Sequence, residues 1–146
     1  MMGRLGNPQA RILVVDPEDW CREFLTSVMR LCGLQEFTMV TSVAEALQAL
    51  EESAFDLLIT DFKLAQQQRL LESCRHRDPT MRVILMLQKR SITSHMVYLE
   101  HTDYVFKPLS LDEIVRKIRD AIHQKNLRRA EEEIRRLKQG AFRILG

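Results

Sequence analysis

The chain has 146 residues, 45% of them hydrophobic and 29% charged, with a net charge of +2. That suits one soluble domain plus an appendage and excludes a disordered or fibrous chain. The longest apolar runs are far too short to span a bilayer, and the N-terminus lacks a signal-peptide core, so an intracellular, cytoplasmic protein is expected. Cys21, Cys32 and Cys74 are odd in number and lack metal-ligand spacing, which reads as buried thiols of a reducing compartment. From Lys125 onward there are seven Lys or Arg against three acids, leaving fifteen against seventeen before it, so a mildly acidic body carries a basic tail.

Residues 1–10 read as a flexible leader. Arg11-Ile12-Leu13-Val14-Val15-Asp16 predicts a first buried strand that ends on a carboxylate. A helix is expected over about Glu18 to Cys32, with Trp20, Phe24, Leu25, Val28, Met29 and Cys32 as its core stripe and Gly33 as its stop. Phe37 to Thr41 predicts a second strand. Ser42 and Glu45 form a capping box that opens a helix over Val43 to Glu52. The stretch Phe55-Asp56-Leu57-Leu58-Ile59-Thr60-Asp61 is a third strand, nearly unbroken in apolarity and again closed by Asp.

A helix from about Gln67 to His76 stops at Asp78-Pro79. Val83 to Leu87 predicts a fourth strand, Ile92 to His101 a short helical segment, and Asp103 to Phe106 a fifth strand closed by Lys107-Pro108. Ser110 and Glu113 form another capping box, opening a helix that buries Ile114, Val115, Ile118 and Ile122. Strands and helices in alternation imply βαβ units and an α/β doubly wound fold of the flavodoxin-like (βα)5 type, with a parallel sheet in the order 2-1-3-4-5 and an extended C-terminal helix.

Ligands of such sheets sit beyond the carboxyl ends of the strands. Asp16, Asp61 and Lys107 follow the first, third and fifth strands, and the strand order is expected to set these ends side by side. Singly they read as two N-caps and a surface lysine. Together they suit Mg²⁺ held by carboxylates, with an ammonium to hold a phosphoryl oxygen and an Asp able to accept a phosphoryl group.

These motifs, with Tyr104-Val105-Phe106-Lys107-Pro108 and Ser110-Leu111-Asp112-Glu113, resemble the signatures of response-regulator receiver domains, the CheY-like family. The resemblance spans about residues 11–124, leaving 125–146 as a basic amphipathic tail. It implies that Asp61 is the phosphoacceptor of a two-component phosphorelay and that Lys107 contacts the phosphoryl group. It also implies that Mg²⁺ is held by Asp16, Asp61 and the main-chain carbonyl of Lys63, that a cis bond joins Lys107 to Pro108, and that the partner is a histidine kinase or phosphotransfer protein.

Four departures bear on that chemistry. The family's second acid after the first strand is replaced by Pro17; Glu18, one position later, is a further ligand only if its side chain reaches. The family's hydroxyl residue at the end of the fourth strand is Leu87, which cannot donate a hydrogen bond, so the usual switch pairing with Tyr104 lacks its first link, and Gln88 is a longer substitute. The loop after Asp61 and the segment between Leu87 and Lys107 are both shorter than the family's. The expectation is an atypical receiver, phosphorylated poorly or not at all.

In the tail, Leu127, Ala130, Ile134, Leu137, Ala141 and Ile144 recur at intervals of 3, 4, 3, 4 and 3 residues, an a/d seam interrupted by Gly140. It predicts a homodimeric coiled coil, against the alternative of a helix folded back on its own domain. Nucleic-acid binding is disfavoured, because the tail's arginines have no aromatic interleaving and no accompanying motif. The leading function is thus a receiver module, not an enzyme; the alternatives are a phosphorylation-independent pseudo-receiver adapter and, more remotely, an Asp-nucleophile phosphatase echoed by Asp16-Pro17-Glu18.

Overall fold

The computed structural model describes residues 10–64, 67–88 and 101–145. The described elements are β1 (Arg11–Val15), α1 (Asp19–Leu31), β2 (Glu36–Val40), α2 (Val43–Glu52), β3 (Leu57–Asp61), α3 (Gln67–Arg77), β4 (Arg82–Gln88), β5 (Thr102–Lys107) and α4 (Leu111–Leu145). The helix expected from Ile92 falls outside the described residues but for its last position, His101.

Five strands form one parallel sheet in the order β2-β1-β3-β4-β5. All five residues of β3 are buried, because helices cover the sheet on each side. Alternation along the strands divides the core in two. Ile12, Val14, Leu57, Ile59, Ile84, Met86 and Val105 face α1 and α4. Leu13, Val15, Leu58, Val83 and Leu85 face α2 and α3. Each fully buried aliphatic side chain contributes about 1.5–3 kcal/mol, and the strands supply most of them.

Local chemistry sets the element ends. At the end of α1, Gly33 takes φ 75°, Leu34 N donates to Met29 O and Gly33 N to Arg30 O, at 2.9 and 3.0 Å. These are the two hydrogen bonds of a Schellman motif, whose left-handed residue favours glycine. Ser42 caps α2 by accepting from Glu45 N at 3.2 Å. β2 begins one residue before its expected start and omits Thr41, since backbone pairing of Arg11 with Glu36 and of Val15 with Val40 fixes the register. Pairing to β4 likewise extends β5 from Thr102 to Lys107.

Two sequence expectations are corrected. Trp20 is not a core residue: it is 46% exposed, because its side chain turns onto Glu18 and Lys107 while Cys21, in the same turn of α1, takes the core position. Gly140 does not break the last helix, which runs unbroken for 35 residues, about 50 Å. A Cβ at Gly140 would meet nothing within 4 Å, so the glycine weakens the helix only through backbone freedom, by about 1 kcal/mol.

The base of α4 is tied to the body by charge. Buried Lys125 pairs with Asp78 and donates to Thr80 Oγ1 at 2.8 Å. Arg129 pairs with Asp56, whose other carboxylate oxygen accepts from Arg11 N at 2.8 Å. Beyond Arg129 the described side chains of α4 are exposed or half-buried and include Ile134 and Leu137.

Candidate functional site

The carboxyl ends of β1, β3 and β5 deliver Asp16, Asp61 and Lys107. They are buried there, with 0%, 3% and 6% of their surface exposed. The end of β5 does not adjoin that of β3, because β4 stands between them. The four-carbon stem of Lys107 spans that gap.

Its ammonium donates to Asp61 Oδ2 at 2.5 Å and to Glu18 Oε1 at 2.8 Å. It also lies 2.8 Å from Asp16 Oδ2, but outside hydrogen-bond angles, leaving that buried oxygen without a hydrogen-bond partner. Burial opposes the lysine's charge, yet the three carboxylates outweigh it and hold the Lys107 pKa above the ordinary lysine value.

Backbone donors fix the other carboxylate oxygens. Glu18 N donates to Asp16 Oδ1 at 2.8 Å and Lys63 N to Asp61 Oδ1 at 2.6 Å. Glu18 reaches the site despite the intervening Pro17. Its carboxyl is held below the ordinary glutamate range, first by Lys107 and then by the indole N–H of Trp20, which donates to Oε2 at 2.6 Å. The neighbouring Cys21 is no nucleophile: burial and the Asp16 charge push its thiol up to about 12.

One oxygen from each of Asp16, Glu18 and Asp61 lies within 4.8 Å of the others. Three hard oxygen donors, one of them buried and lacking a hydrogen bond, fit Mg²⁺. Three carboxylates against one ammonium leave an excess of negative charge that a divalent cation would offset.

The expected switch pair is not brought into this cluster. Leu87 is buried on β4 opposite Phe106, and Tyr104 lies opposite Leu85, half-buried against the core on the α2 and α3 side. Gln88 instead reaches towards the site, its Oε1 accepting from Lys63 Nζ at 2.7 Å. The Lys107-Pro108 peptide is cis.

Sequence reasoning missed Trp20 as a site residue. Its ring lies over Lys107, 5.6 Å from Nζ to the centroid. The available signal was its place in the first turn of the helix that follows Asp16. The Lys63–Gln88 pair had no sequence signal, since it joins the loop after β3 to the end of β4, 25 residues apart in the chain.

A sheet of this order with acids and a lysine at its carboxyl edge defines a signalling receiver fold. Residues 12–119 match the response regulator receiver domain family, and the chain belongs to it. Solved structures agree. A response regulator receiver domain protein from Clostridium thermocellum is 25% identical, with TM-score 0.67, covering 81% of this chain and 98% of its own. A putative response regulator from Chloroflexus aurantiacus is 26% identical, with TM-score 0.69 and coverages of 79% and 98%. A receiver protein from Sinorhizobium medicae, 19% identical with TM-score 0.71, covers 80% and 97% and shows the shared fold. No curated protein matches.

Receiver domains of two-component systems are in general signalling modules rather than enzymes; they bind Mg²⁺ through acidic residues and interact with histidine kinases or phosphotransfer proteins. Among the described residues no helix is long and apolar enough to cross a membrane.

The ion cluster makes a stability prediction. Replacing Lys107 by Met should cost about 3–5 kcal/mol at neutral pH in urea unfolding, because it strands buried charge. Glu18 has a lowered folded pKa, so its contribution is present above the ordinary glutamate value of 4.5 and is lost as pH falls through the folded value. Wild type should therefore show a loss of stability below about pH 4.5 that shrinks in both Lys107→Met and Glu18→Gln.

Proposed function

We propose that Asp61 is the phosphoacceptor of this receiver domain, serving a histidine kinase or phosphotransfer protein. The observation that carries the reading is the convergence of Lys107 Nζ on Asp61, Asp16 and Glu18 within 2.8 Å. An Asp61 oxygen attacks the donor's phosphorus in line; the new O–P bond forms as the donor's bond to phosphorus breaks, giving an acyl phosphate. Lys63 N fixes one oxygen of Asp61 and so orients the carboxylate. Lys107 transfers its hydrogen bond from Asp61 to a phosphoryl oxygen, acting as a point charge. Asp16, Glu18, Asp61 and the Lys63 carbonyl would hold Mg²⁺, which when bound supplies positive charge against the incoming phosphoryl group.

Glu18 supports a working metal site despite Pro17, whereas Leu87 supports the loss of the usual hydroxyl sensor. Chemistry kept and readout altered is the combination these residues favour. The second reading, a phosphorylation-independent adapter, draws on the same Leu87.

Output passes to α4, which we read as a parallel dimer helix. Leu127, Ile134 and Leu137 are 43%, 53% and 66% exposed, more apolar surface than a solvated helix face needs. With Leu127 and Ile134 at a and Leu137 at d, Glu133 takes a g position and Lys138 the e position five residues on. In a parallel pair these two meet across the interface with opposite charge.

Acetyl phosphate with Mg²⁺, read by intact mass, should give a single phosphoryl adduct that disappears in Asp61→Asn. No adduct in wild type would favour the adapter, and an adduct that persists in Asp61→Asn would place the acceptor on another residue. Sedimentation should show a dimer that Leu137→Asp converts to monomer; an assembly state unchanged by Leu137→Asp would remove the seam.

A further inference from the structure

We infer that Trp20 is a positioning residue whose indole N–H pins Glu18 as the substitute for the acid that Pro17 cannot supply, readying it for a divalent cation shared with Asp16 and Asp61. The inference rests on the cation-site reading above and adds a residue that lies outside the acid and lysine motifs.

Glu18 occupies the N-cap position of α1 with extended backbone, φ −89° and ψ 122°, but its side chain makes no capping hydrogen bond. A carboxylate at that position ordinarily accepts from the helix's first free N–H groups. Here both oxygens are engaged in the site instead. Oε1 accepts from Lys107 at 2.8 Å and Oε2 from Trp20 Nε1 at 2.6 Å.

The division of labour follows from the donors. Freezing a long glutamate side chain costs rotamer entropy, and Lys107 alone would have to offset it while also serving Asp16 and Asp61. An indole has one N–H and no acceptor, so it can hold one oxygen in one direction and nothing more. Oε2 is therefore anchored by the indole, and Oε1 shares the Lys107 ammonium with Asp16 and Asp61. If Lys107 yields Oε1 to a cation, Glu18 remains in place.

The location of Trp20 fits this role better than a packing role. It is the only tryptophan of the chain, lies outside both core clusters, and is 46% exposed. Its hydrogen bond to Glu18 and its ring contact with Lys107 both go to groups of the site. The ring face attracts the ammonium, and the N–H serves the carboxylate, so one side chain orients both charges.

Trp20→Phe separates these contributions, keeping a ring over Lys107 and deleting the N–H. Mg²⁺ titration by calorimetry should show a dissociation constant roughly 10-fold weaker in Trp20→Phe than in wild type, the scale of an outer ligand-orienting partner. Glu18→Gln should weaken binding at least as much. The double variant should bind no more weakly than Glu18→Gln alone, because Trp20 acts only through Glu18. Wild-type affinity in Trp20→Phe, or full additivity in the double variant, would overturn the inference while leaving the cation site standing. Mg²⁺ binding that is undetectable in wild type, or indifferent to both Asp16→Asn and Asp61→Asn, would instead remove the cation-site reading and this inference with it. Because Trp20 is not a core residue, Trp20→Phe should keep the wild-type urea midpoint in the absence of Mg²⁺ to within a ring-contact difference, which separates binding from folding.

Discussion

The Lys107 ammonium sits among three carboxylates, and the carboxyl edge of the sheet could not close without it. Asp16 and Asp61 are taken out of water at the ends of adjacent strands, and like charges at such distances in a low dielectric repel by several kcal/mol. A permanent cation delivered from β5 removes that repulsion and leaves the edge negative enough to take a second one. The rest of the architecture serves this placement. Parallel strands bring three chain segments to one edge, and the two core layers hold those strands in register. The loops beyond supply the N–H groups of Glu18 and Lys63 that fix the carboxylates.

Much of this was legible in the sequence because burial on both faces leaves a plain signal. Ile12 to Val15, Leu57 to Ile59 and Val83 to Leu87 are too apolar and too short to be anything but central strands, and a charged residue closing such a run marks a strand end. Trp20 was not legible for the opposite reason. Helical spacing groups it with Phe24 and Val28, but spacing alone cannot tell that its ring turns onto Glu18 and Lys107 while Cys21 fills the core. Glu18 depended on side-chain reach, which hydropathy does not encode. Lys125 reads as the start of a basic tail and is instead buried against Asp78 and Thr80, since a single charge carries no mark of its partner.

The same edge connects to the last helix through covalent continuity. Lys107 ends β5, and four residues later α4 begins, packing Ile114, Val115, Ile118, Ala121 and Ile122 on the sheet. The family match ends at residue 119, but the helix remains clamped to the body by Lys125 and Arg129 before it projects. Under the proposed role of Asp61, with Leu87 offering no hydroxyl, the covalent link from Lys107 to the seat of this helix is the most direct connection to it. The Lys63–Gln88 contact over the mouth of the site offers a polar link at the end of β4 where Leu87 has none.

At rest Lys107 is held by Asp61, and in the role proposed for it the ammonium serves a phosphoryl group there when one arrives. A crystal structure grown with Mg²⁺ and beryllofluoride tests it directly. The account predicts beryllofluoride on an Asp61 oxygen, Lys107 Nζ in hydrogen-bond contact with a fluorine, and Mg²⁺ touching Asp16 and Glu18. Asp61 left unmodified, with Lys107 still bonded to its carboxylate under saturating beryllofluoride, would contradict it.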